Sequence, residues 1–354
     1  MRIRRSLPIL LAVVALAAVL TLVVQLRKHA PPEAARLLPS ADAFVYVNLQ
    51  WMRRASLAGQ LPPVSHDPDY EQFIQATGFQ FERDLDETAF AVHYPAAKRG
   101  AKSPAPEEAR FSEVFVGRIQ GERLSAYLRK ISTSVDSYRA VDIYNIPLEG
   151  RTLRVAILGV DTVAASNHGD PQVIRGIIDR SRKLASPFGG PAFLRQYYKE
   201  VPFASLAWSI FRVQPSAEQP SPGPMDLSLL FPKPAVVVAS LRYLGAVHLR
   251  AEAYTGSEAD AQHLAEQVNT FLSIFHAAEA SVSENGGPDP DVKQFLDSLK
   301  VNASQDRAVL SAIVPQGLIR KALAESPSQL APQTSPPPSP PPASTETGGK
   351  RRHK

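Results

Sequence analysis

The stretch from Ala235 to Asp260, AVVVASLRYLGAVHLRAEAYTGSEAD, carries the pattern that decides the fold. In its second part, apolar residues alternate with polar or charged ones, at Val247, Leu249, Ala251 and Ala253. This period of two is typical of a strand with one solvated face. Ser257 to Asp260 then matches a capping box, and apolar residues follow at helical spacing. Because the run Ala235 to Leu244 precedes both, the stretch predicts a strand, a tight turn, a second strand and a helix.

The same order recurs along the chain with negligible sequence identity between copies. The predicted strand pairs and the helices that follow them are Ala89–His93 and Phe111–Ile119 before Glu122–Ile131, Leu153–Leu158 and Thr162–Ser166 before Pro171–Leu184, and Lys300–Ala303 and Ala308–Val314 before Gln316–Ala324. Hairpins joined by helices predict an α+β fold, in which an antiparallel sheet carries its helices on one face. The folded domain is expected to span 37–325, as one unit or as two similar halves of about 37–185 and 186–325.

The N-terminus contains a predicted membrane helix. Residues 7–26, LPILLAVVALAAVLTLVVQL, carry no charge, and as a helix they would be about 30 Å long, the thickness of a bilayer core. The chain has no cysteine, which excludes a lipid-modified cysteine as the anchor. A cleaved signal peptide is the alternative, but its apolar region is usually shorter and ends at a small-residue site. We therefore predict an uncleaved signal anchor in a bacterial cytoplasmic membrane, preceded by a short basic segment, 1–6, and followed by a linker, 27–36.

The distribution of charge predicts a main domain outside the cytoplasm and argues against nucleic-acid binding. Three arginines precede the apolar run and two basic residues follow it, so the positive-inside rule favours a cytoplasmic N-terminus and a periplasmic domain. Nine of the 39 basic residues lie at the two ends of the chain, with one of the 34 acidic ones, which leaves the body mildly acidic. Nucleic-acid binding domains instead carry their basic excess on the folded body.

The C-terminal segment, 326–354, is rich in proline and ends in KRRHK. Such a composition cannot bury enough apolar surface to offset ordering entropy, so we expect a disordered, partly polyproline II tail. Its basic residues, Lys350, Arg351, Arg352 and Lys354, are candidates to contact an envelope protein or an anionic surface. A tail that only remains solvated is the alternative.

The segment VDTVAASNHGDP, residues 160–171, places Ser166, His168 and Asp170 close together. A catalytic triad uses these residue types, but its members usually come from separate segments. Asp170 before Pro171 is also the pattern of a helix N-cap followed by the first helical residue, and it precedes an apolar helical stripe. The pattern therefore favours a turn between a strand and a helix.

Two further groups of polar residues have structural interpretations that we favour. Glu82, Asp84, Asp86 and Glu87 resemble a cation site, yet the segment lacks the glycine and distal glutamate of an EF-hand loop. We predict a short amphipathic turn that leads into a strand. Asp67 and Pro68 predict the start of another helix, which ends near Gly78. Phosphate-binding, nucleophile-elbow and dinucleotide motifs are absent from the sequence, so we assign no catalytic, cofactor-binding or metal residues, and no cofactor.

Several segments resemble an uncharacterised family of bacterial proteins. They are LLPSADAFVYVNL at 37–49, DPDYEQFIQATGFQFERDLDETAFAVH at 67–93, FSEVFVGR at 111–118, IPLEGRTLRVAILGVDTVAASN at 146–167 and DPDVKQFLDSLKV at 289–301. The resemblance covers most of 37–315. It implies one N-terminal membrane helix and an envelope-facing domain, and it carries no activity or functional residue.

Three functions remain open from the sequence. We favour a non-catalytic binding or scaffold module in the periplasm. An envelope hydrolase is the first alternative, favoured if a pocket gathers two or more of His66, His93, His168, Glu82 and Asp86. A carrier of an apolar ligand is the second, favoured if the sheet and the long helix around Phe271 and Phe275 enclose a cavity.

Overall fold

The computed structural model describes residues 30–54, 66–94, 109–148, 150–182, 189–213, 231, 233–282 and 289–324. The predicted basic segment 1–6, the predicted membrane helix 7–26 and the predicted tail 326–354 lie outside these ranges. Within the described ranges, no helix combines the length and apolar character that crossing a bilayer requires.

Helices and strands alternate along the chain. The helices are α1 (Glu33–Leu37), α2 (Leu49–Arg54), α3 (Pro68–Thr77), α4 (Phe81–Asp84), α5 (Gly121–Ile131), α6 (Gln172–Arg182), α7 (Ala192–Tyr198), α8 (Glu258–Val282), α9 (Pro290–Ser298) and α10 (Gln316–Ala324). The strands are β1 (Ala43–Asn48), β2 (Leu85–His93), β3 (Arg110–Gly117), β4 (Ser134–Tyr138), β5 (Val141–Leu148), β6 (Arg151–Ile157), β7 (Thr162–Ser166), β8 (Ala207–Val213), β9 (Ala235–Tyr243), β10 (Val247–Tyr254), β11 (Lys300–Ser304) and β12 (Arg307–Val314).

The described strands form one twelve-stranded sheet in the order β11-β12-β10-β9-β8-β1-β2-β3-β7-β6-β5-β4. Every neighbouring pair in this order is antiparallel. This confirms the predicted mixed fold of helices with a large antiparallel sheet. The element order also contains the four predicted strand–strand–helix sequences, β2-β3-α5, β6-β7-α6, β9-β10-α8 and β11-β12-α10.

The stretch from Ala235 to Asp260 folds as its pattern predicts. Strands β9 and β10 pair from Val247 opposite Tyr243 to Tyr254 opposite Val236. Gly245 lies in the turn between them with a φ of 83°, a left-handed conformation that costs glycine little. The backbone N–H of Asp260 donates to Ser257 Oγ at 3.2 Å, which confirms the cap of α8.

The helices cover both faces of the sheet, so the prediction of helices on one face is wrong. Ala164 of β7 packs in one cluster with Ile174 and Ile177 of α6. Its neighbour in the chain, Ala165, packs in another cluster with Leu128 of α5. Because successive side chains of a strand project to opposite faces, α5 and α6 lie on opposite sides of the sheet. The strand sequence TVAAS is apolar on both faces, and its pattern does not reveal which helix takes which side.

Strand registers extend this assignment across the whole sheet. One face, which we call the core face, packs against α1, α6 and α7 and carries the largest cluster of buried side chains. On the other face, which we call the opposite face, α5 covers β5, β6 and β7, and α8 covers β9, β10 and β12. Directly opposite residues connect the two covered areas, through Val237, Phe211, Ala43 and Val92.

Each half of the chain occupies one half of the sheet. Strands β1–β7 lie on one side and β8–β12 on the other, and the antiparallel pair β1 and β8 joins them. In the first half, β7 returns beside β3 after α5, and in the second half β12 returns beside β10 after α8. Among the described strands, the hairpin β4–β5 is the addition that distinguishes the first half from this shared connection.

Candidate binding surface

The turn at 160–171 contains no triad geometry. Ser166 is 1% exposed, and its Oγ lies 2.9 Å from Ser112 Oγ on the adjacent strand β3. Asp170 Oδ1 accepts from the backbone N–H of Gln172 at 2.8 Å, at the start of α6. His168 Nδ1 accepts from the backbone N–H of Asp170 at 3.1 Å. The three side chains hold the backbone of a strand–helix turn, which confirms the structural interpretation.

The carboxylates of Glu82, Asp84 and Asp86 bind three separate partners and do not converge on one site. Asp84 is buried and binds Arg83, whose hydrogen bond is the main reason that the pKa of Asp84 lies below its ordinary value. Asp86 pairs with Arg53 of α2, and Glu82 accepts from Tyr70 at 2.7 Å. Among the described residues, no three histidine or carboxylate side chains are grouped so that they could hold a metal ion. Helix α4 leads directly into β2, which confirms the predicted short turn.

His66 lies between two carboxylates at the start of α3. Its Nδ1 is 2.7 Å from Glu71 Oε1, and its Nε2 is 2.6 Å from Glu82 Oε1. The hydrogen bond with Glu71, followed by that with Glu82, raises the pKa of His66. Asp67 caps α3 by accepting from the backbone N–H of Tyr70 at 2.7 Å, as predicted. Both ring nitrogens are engaged, so His66 joins α3 to α4.

The structure brings together two pairs of the residues on which the hydrolase alternative depends. Besides His66 and Glu82, the rings of His93 and His168 lie 5.1 Å apart between centroids. Burial lowers the pKa of His93. A cleft of about 410 Å³ opens where α4 meets the end of β3, and its lining includes Asp84 and Arg118 but none of these four residues. The condition that favours a hydrolase, a shared pocket, is therefore not met at this cleft.

Phe271, one of the two residues named for an apolar-ligand carrier, is 45% exposed on α8. A side chain with this exposure lies at the outer surface and does not line an enclosed cavity. The side chain of Phe275 lies outside the described part of α8.

The central strands of the sheet differ between their two faces. On the core face, Phe44, Ala91 and Ile210 are fully buried. On the opposite face, the same strands carry a set of half-buried side chains that we call the strip. The strip consists of Val45, Phe90, Val92, Phe111, Glu113 and Phe115.

The strip lies between the two covered areas of the opposite face. The buried cluster under α5 draws its strand residues from β5, β6 and β7, and the cluster under α8 draws them from β8, β9, β10 and β12. Strands β1, β2 and β3 contribute to neither cluster. At one end, Phe81 of α4 contacts Phe115 with ring centroids 6.3 Å apart, and Phe115 contacts Phe90 at 6.2 Å. The aromatic contacts of the α3–α4 region thus extend through Phe81 to the aromatic residues of the strip.

Glu113 is the one carboxyl group in the strip. It lies directly opposite Phe90 on β2 and Ala165 on β7, with Phe111 and Phe115 two residues away on its own strand. With the described residues it makes no hydrogen bond or ion pair. Burial without a partner raises the pKa of Glu113 to about 7. Sequence reasoning missed this residue, although a glutamate at the centre of FSEVF, in phase with two phenylalanines, is the signal that could have found it.

Comparisons with known proteins identify no family for this chain. No family model matches the sequence, and no curated protein matches it. Among solved structures, crystal form III of TP0453 aligns at 10% identity with a TM-score of 0.42, covering 84% of this chain and 99% of that one. Crystal form I aligns at 10% identity with a TM-score of 0.40 over 84% and 99% of the two chains. Crystal form IV aligns at 8% identity with a TM-score of 0.38 over 83% and 98%.

The chemistry of the strip suits recognition. Aromatic side chains bury a large area on binding at little entropic cost, and they are enriched among residues that dominate binding energy. A basic group placed beside a buried carboxyl group would stabilise its ionised form, which is unfavourable there without a partner. The strip therefore fits an apolar ligand segment that carries a basic group.

Proposed function

We propose that this chain is a non-catalytic binding module of the bacterial envelope. In this proposal, residues 7–26 hold it in the cytoplasmic membrane with the N-terminus inside, and the α+β domain lies in the periplasm. The observation that carries the binding role is the strip, a half-buried aromatic surface whose carboxyl group, on Glu113, has no partner among the described residues. The membrane topology is supported by the uncharged run and the basic residues on its N-terminal side.

A binding role for the strip is supported by the other face of the same strands, which already anchors them to helices. Strands β1, β2 and β3, which carry the strip, also contribute the fully buried Phe44, Ala91 and Val114 to the core face. The apolar residues of the opposite face are therefore not needed to anchor these strands to a helix. Half-buried aromatic residues that lie between two helix-covered areas offer apolar area that a ligand could bury. Phe90 and Phe115 are the expected anchors of such a site, since they lie at its centre.

The pairing of His66 with Glu82 is the observation on which a hydrolase would rest. General-base catalysis requires a histidine nitrogen within hydrogen-bonding distance of the nucleophile. Glu71 and Glu82 engage the two ring nitrogens instead. This geometry supports a structural role for His66 and favours the binding module over the hydrolase.

Photocrosslinking in the native envelope tests the binding role. A photoreactive residue replaces Val92 in the strip or, as a control, Leu148, an apolar residue that is 40% exposed on β5. We expect one defined crosslinked species at position 92 that is missing at position 148 and is lost on the additional change Phe115→Ala. Equal crosslinking at both positions, or crosslinking that Phe115→Ala does not change, would contradict the proposal.

A separate experiment tests the membrane topology. Protease added to spheroplasts is expected to digest the domain while the inner membrane is intact, because the proposed domain faces the periplasm. Protection of the domain until the membrane is lysed would place it in the cytoplasm and refute this part of the proposal.

A further inference from the structure

The strip combines two features that bind proline-rich basic segments. Polyproline II segments dock in grooves lined by aromatic side chains, since their rigid backbone costs little entropy to order. The ring of Phe81, at one end of the strip, is followed by those of Phe115 and Phe90 within it, at centroid distances of 6.3 and 6.2 Å. Glu113, opposite Phe90 in the register, supplies a carboxyl group for a lysine or arginine.

The chain itself contains a segment with the matching chemistry. Residues 335–354 read SPPPSPPPASTETGGKRRHK, so two runs of three prolines are followed by a basic end. This segment has four basic residues and one acidic residue, whereas the body between the membrane run and the tail is acidic in balance. The charge of the segment therefore complements that of the domain and that of the strip.

The segment begins close enough to reach the strip. Helix α10 ends at Ala324, and its residue Ile319 packs with Val247 and Leu241, which project from the opposite face. Six strand spacings separate β12, the strand before α10, from β3, which amounts to about 30 Å at roughly 4.8 Å per spacing. The residues from 325 to 350 span up to about 80 Å in polyproline II form, at about 3.1 Å per residue. The tail thus leaves the domain on the face that carries the strip, with ample length.

We propose that residues 335–354 dock on the strip of their own chain, with prolines against Phe90 and Phe115 and a basic side chain at Glu113. This inference rests on the proposed function, because it names the class of ligand that the same surface binds. It also implies regulation: an envelope partner that uses the strip competes with the tail.

Peptide binding tests the docking directly. A fluorescent peptide of residues 335–354 is titrated onto two proteins in the same detergent micelles, the full chain and a chain ending at Glu325, and anisotropy is recorded. The shortened chain is expected to bind the peptide at least ~10-fold more tightly, because the covalently attached tail competes at an effective concentration near the millimolar range. Equal affinity for the two chains, or no binding to the shortened chain, would overturn the proposal.

Matched variants of the shortened chain locate the site. Phe115→Ala is expected to weaken peptide binding ~10-fold, as removal of an aromatic anchor does, and Glu113→Gln about 5-fold, as loss of a charged hydrogen bond does. Leu148→Ala, outside the strip, should leave the affinity within about 2-fold, the size of effect normal for surface changes. Phe115→Leu, which keeps the apolar volume, accompanies Phe115→Ala in case the latter unfolds, and near-ultraviolet circular dichroism checks each fold. Peptide binding that no strip variant weakens would also overturn the proposal.

A control peptide without the four basic residues separates the contribution of charge to binding from that of the proline-rich part. Replacing Lys350, Arg351, Arg352 and Lys354 by serine should weaken binding to the shortened chain and abolish the difference between Glu113→Gln and the unchanged sequence. If the original peptide binds lipid vesicles containing phosphatidylglycerol but not the shortened chain, the tail serves the membrane surface and the docking proposal is refuted. The crosslink at position 92 would still stand in that case, so the binding module and the docking of its tail fail independently.

Discussion

The two faces of strands β8, β1, β2 and β3 share one backbone and differ in what covers them. On the core face, Phe44 and Ile210 are completely buried beneath α1, α6 and α7. On the opposite face, Phe90 and Phe115 are only half-buried and lie between the areas covered by α5 and α8. The two faces therefore differ in how deeply their side chains are buried, and the proposed binding role belongs to the less buried face.

Polar residues show the same contrast. On the core face, Ser112 and Ser166 are buried and their hydroxyl groups satisfy each other at 2.9 Å. On the opposite face, Glu113 has no partner among the described residues, and burial raises its pKa to about 7. Polar groups within a core are paired because an unpaired one costs stability. Glu113 therefore differs from these two serines, because no described residue satisfies its carboxyl group.

The largest difference in the free energy of unfolding is expected when phenylalanine is replaced by alanine on each of the two faces. Phe44→Ala should lower the free energy of unfolding by about 3–5 kcal/mol, because it empties a packed core, whereas Phe90→Ala should cost about 1 kcal/mol. Urea denaturation of both variants at one pH measures the difference. Equal losses would show that the strip is part of the core and would remove the basis of the comparison.

Glu113→Gln tests whether the strip carries a carboxyl group whose ionised form is destabilised by burial. Its pKa is raised from the ordinary 4.5 to about 7, so the folded protein holds a proton that the unfolded chain releases, and stability falls as pH rises between these values. The loss above pH 7 amounts to at most about 3 kcal/mol, and Gln should remove it. We expect the variant to be more stable than the unchanged protein at pH 8 and nearly equal to it at pH 4.5.

Glu122→Gln, at an exposed position on α5, is the matched control for Glu113→Gln. It should leave the decline of stability between pH 4.5 and 8 intact. If Glu113→Gln also left that decline unchanged, the carboxyl group would have a partner and the strip would not be specialised for a cation.

Asp170→Ala tests how much the cap of α6, a helix on the core face, contributes to stability. Loss of the side-chain acceptor for Gln172 should cost about 1 kcal/mol of unfolding free energy. Asp170→Asn keeps an acceptor and should cost much less. Thermal unfolding compares the two, and an equal loss in both would mean that the carboxylate acts through its charge and not as a cap.

The smallest effect is expected at His66, which joins α3 to α4. Its folded pKa is raised, so the stability it contributes is complete below pH 6.5 and is lost as pH rises through the folded pKa. Titration of the histidine ring by NMR should show a midpoint above 6.5, which Glu71→Gln lowers. A midpoint that Glu71→Gln does not move would show that the contact between the two side chains does not persist in solution.

Local pattern predicted much of the fold and little of the candidate site. The alternation in Val247–Tyr254 and the caps at Asp67, Asp170 and Ser257 are local features, and the structure confirms each of them. The prediction that the helices lie on one face was wrong. Strand β7, TVAAS, is buried on both faces, so its pattern does not show that helices cover both of them. Glu113 escaped notice because its significance depends on what packs against each face of β3, which local pattern does not reveal.

The sequence by itself determined the four strand–strand–helix units and their order, because periodicity, caps and turns act over a few residues. It also supplied the uncharged run at 7–26 and the proline-rich basic end, on which the proposed anchor and the proposed docking depend. Only the tertiary structure decided that β1 and β8 meet at the centre of one sheet, that helices occupy both faces and that the strip lies between them. These features depend on contacts between residues distant in the chain, and their energies are set by which surfaces become buried together.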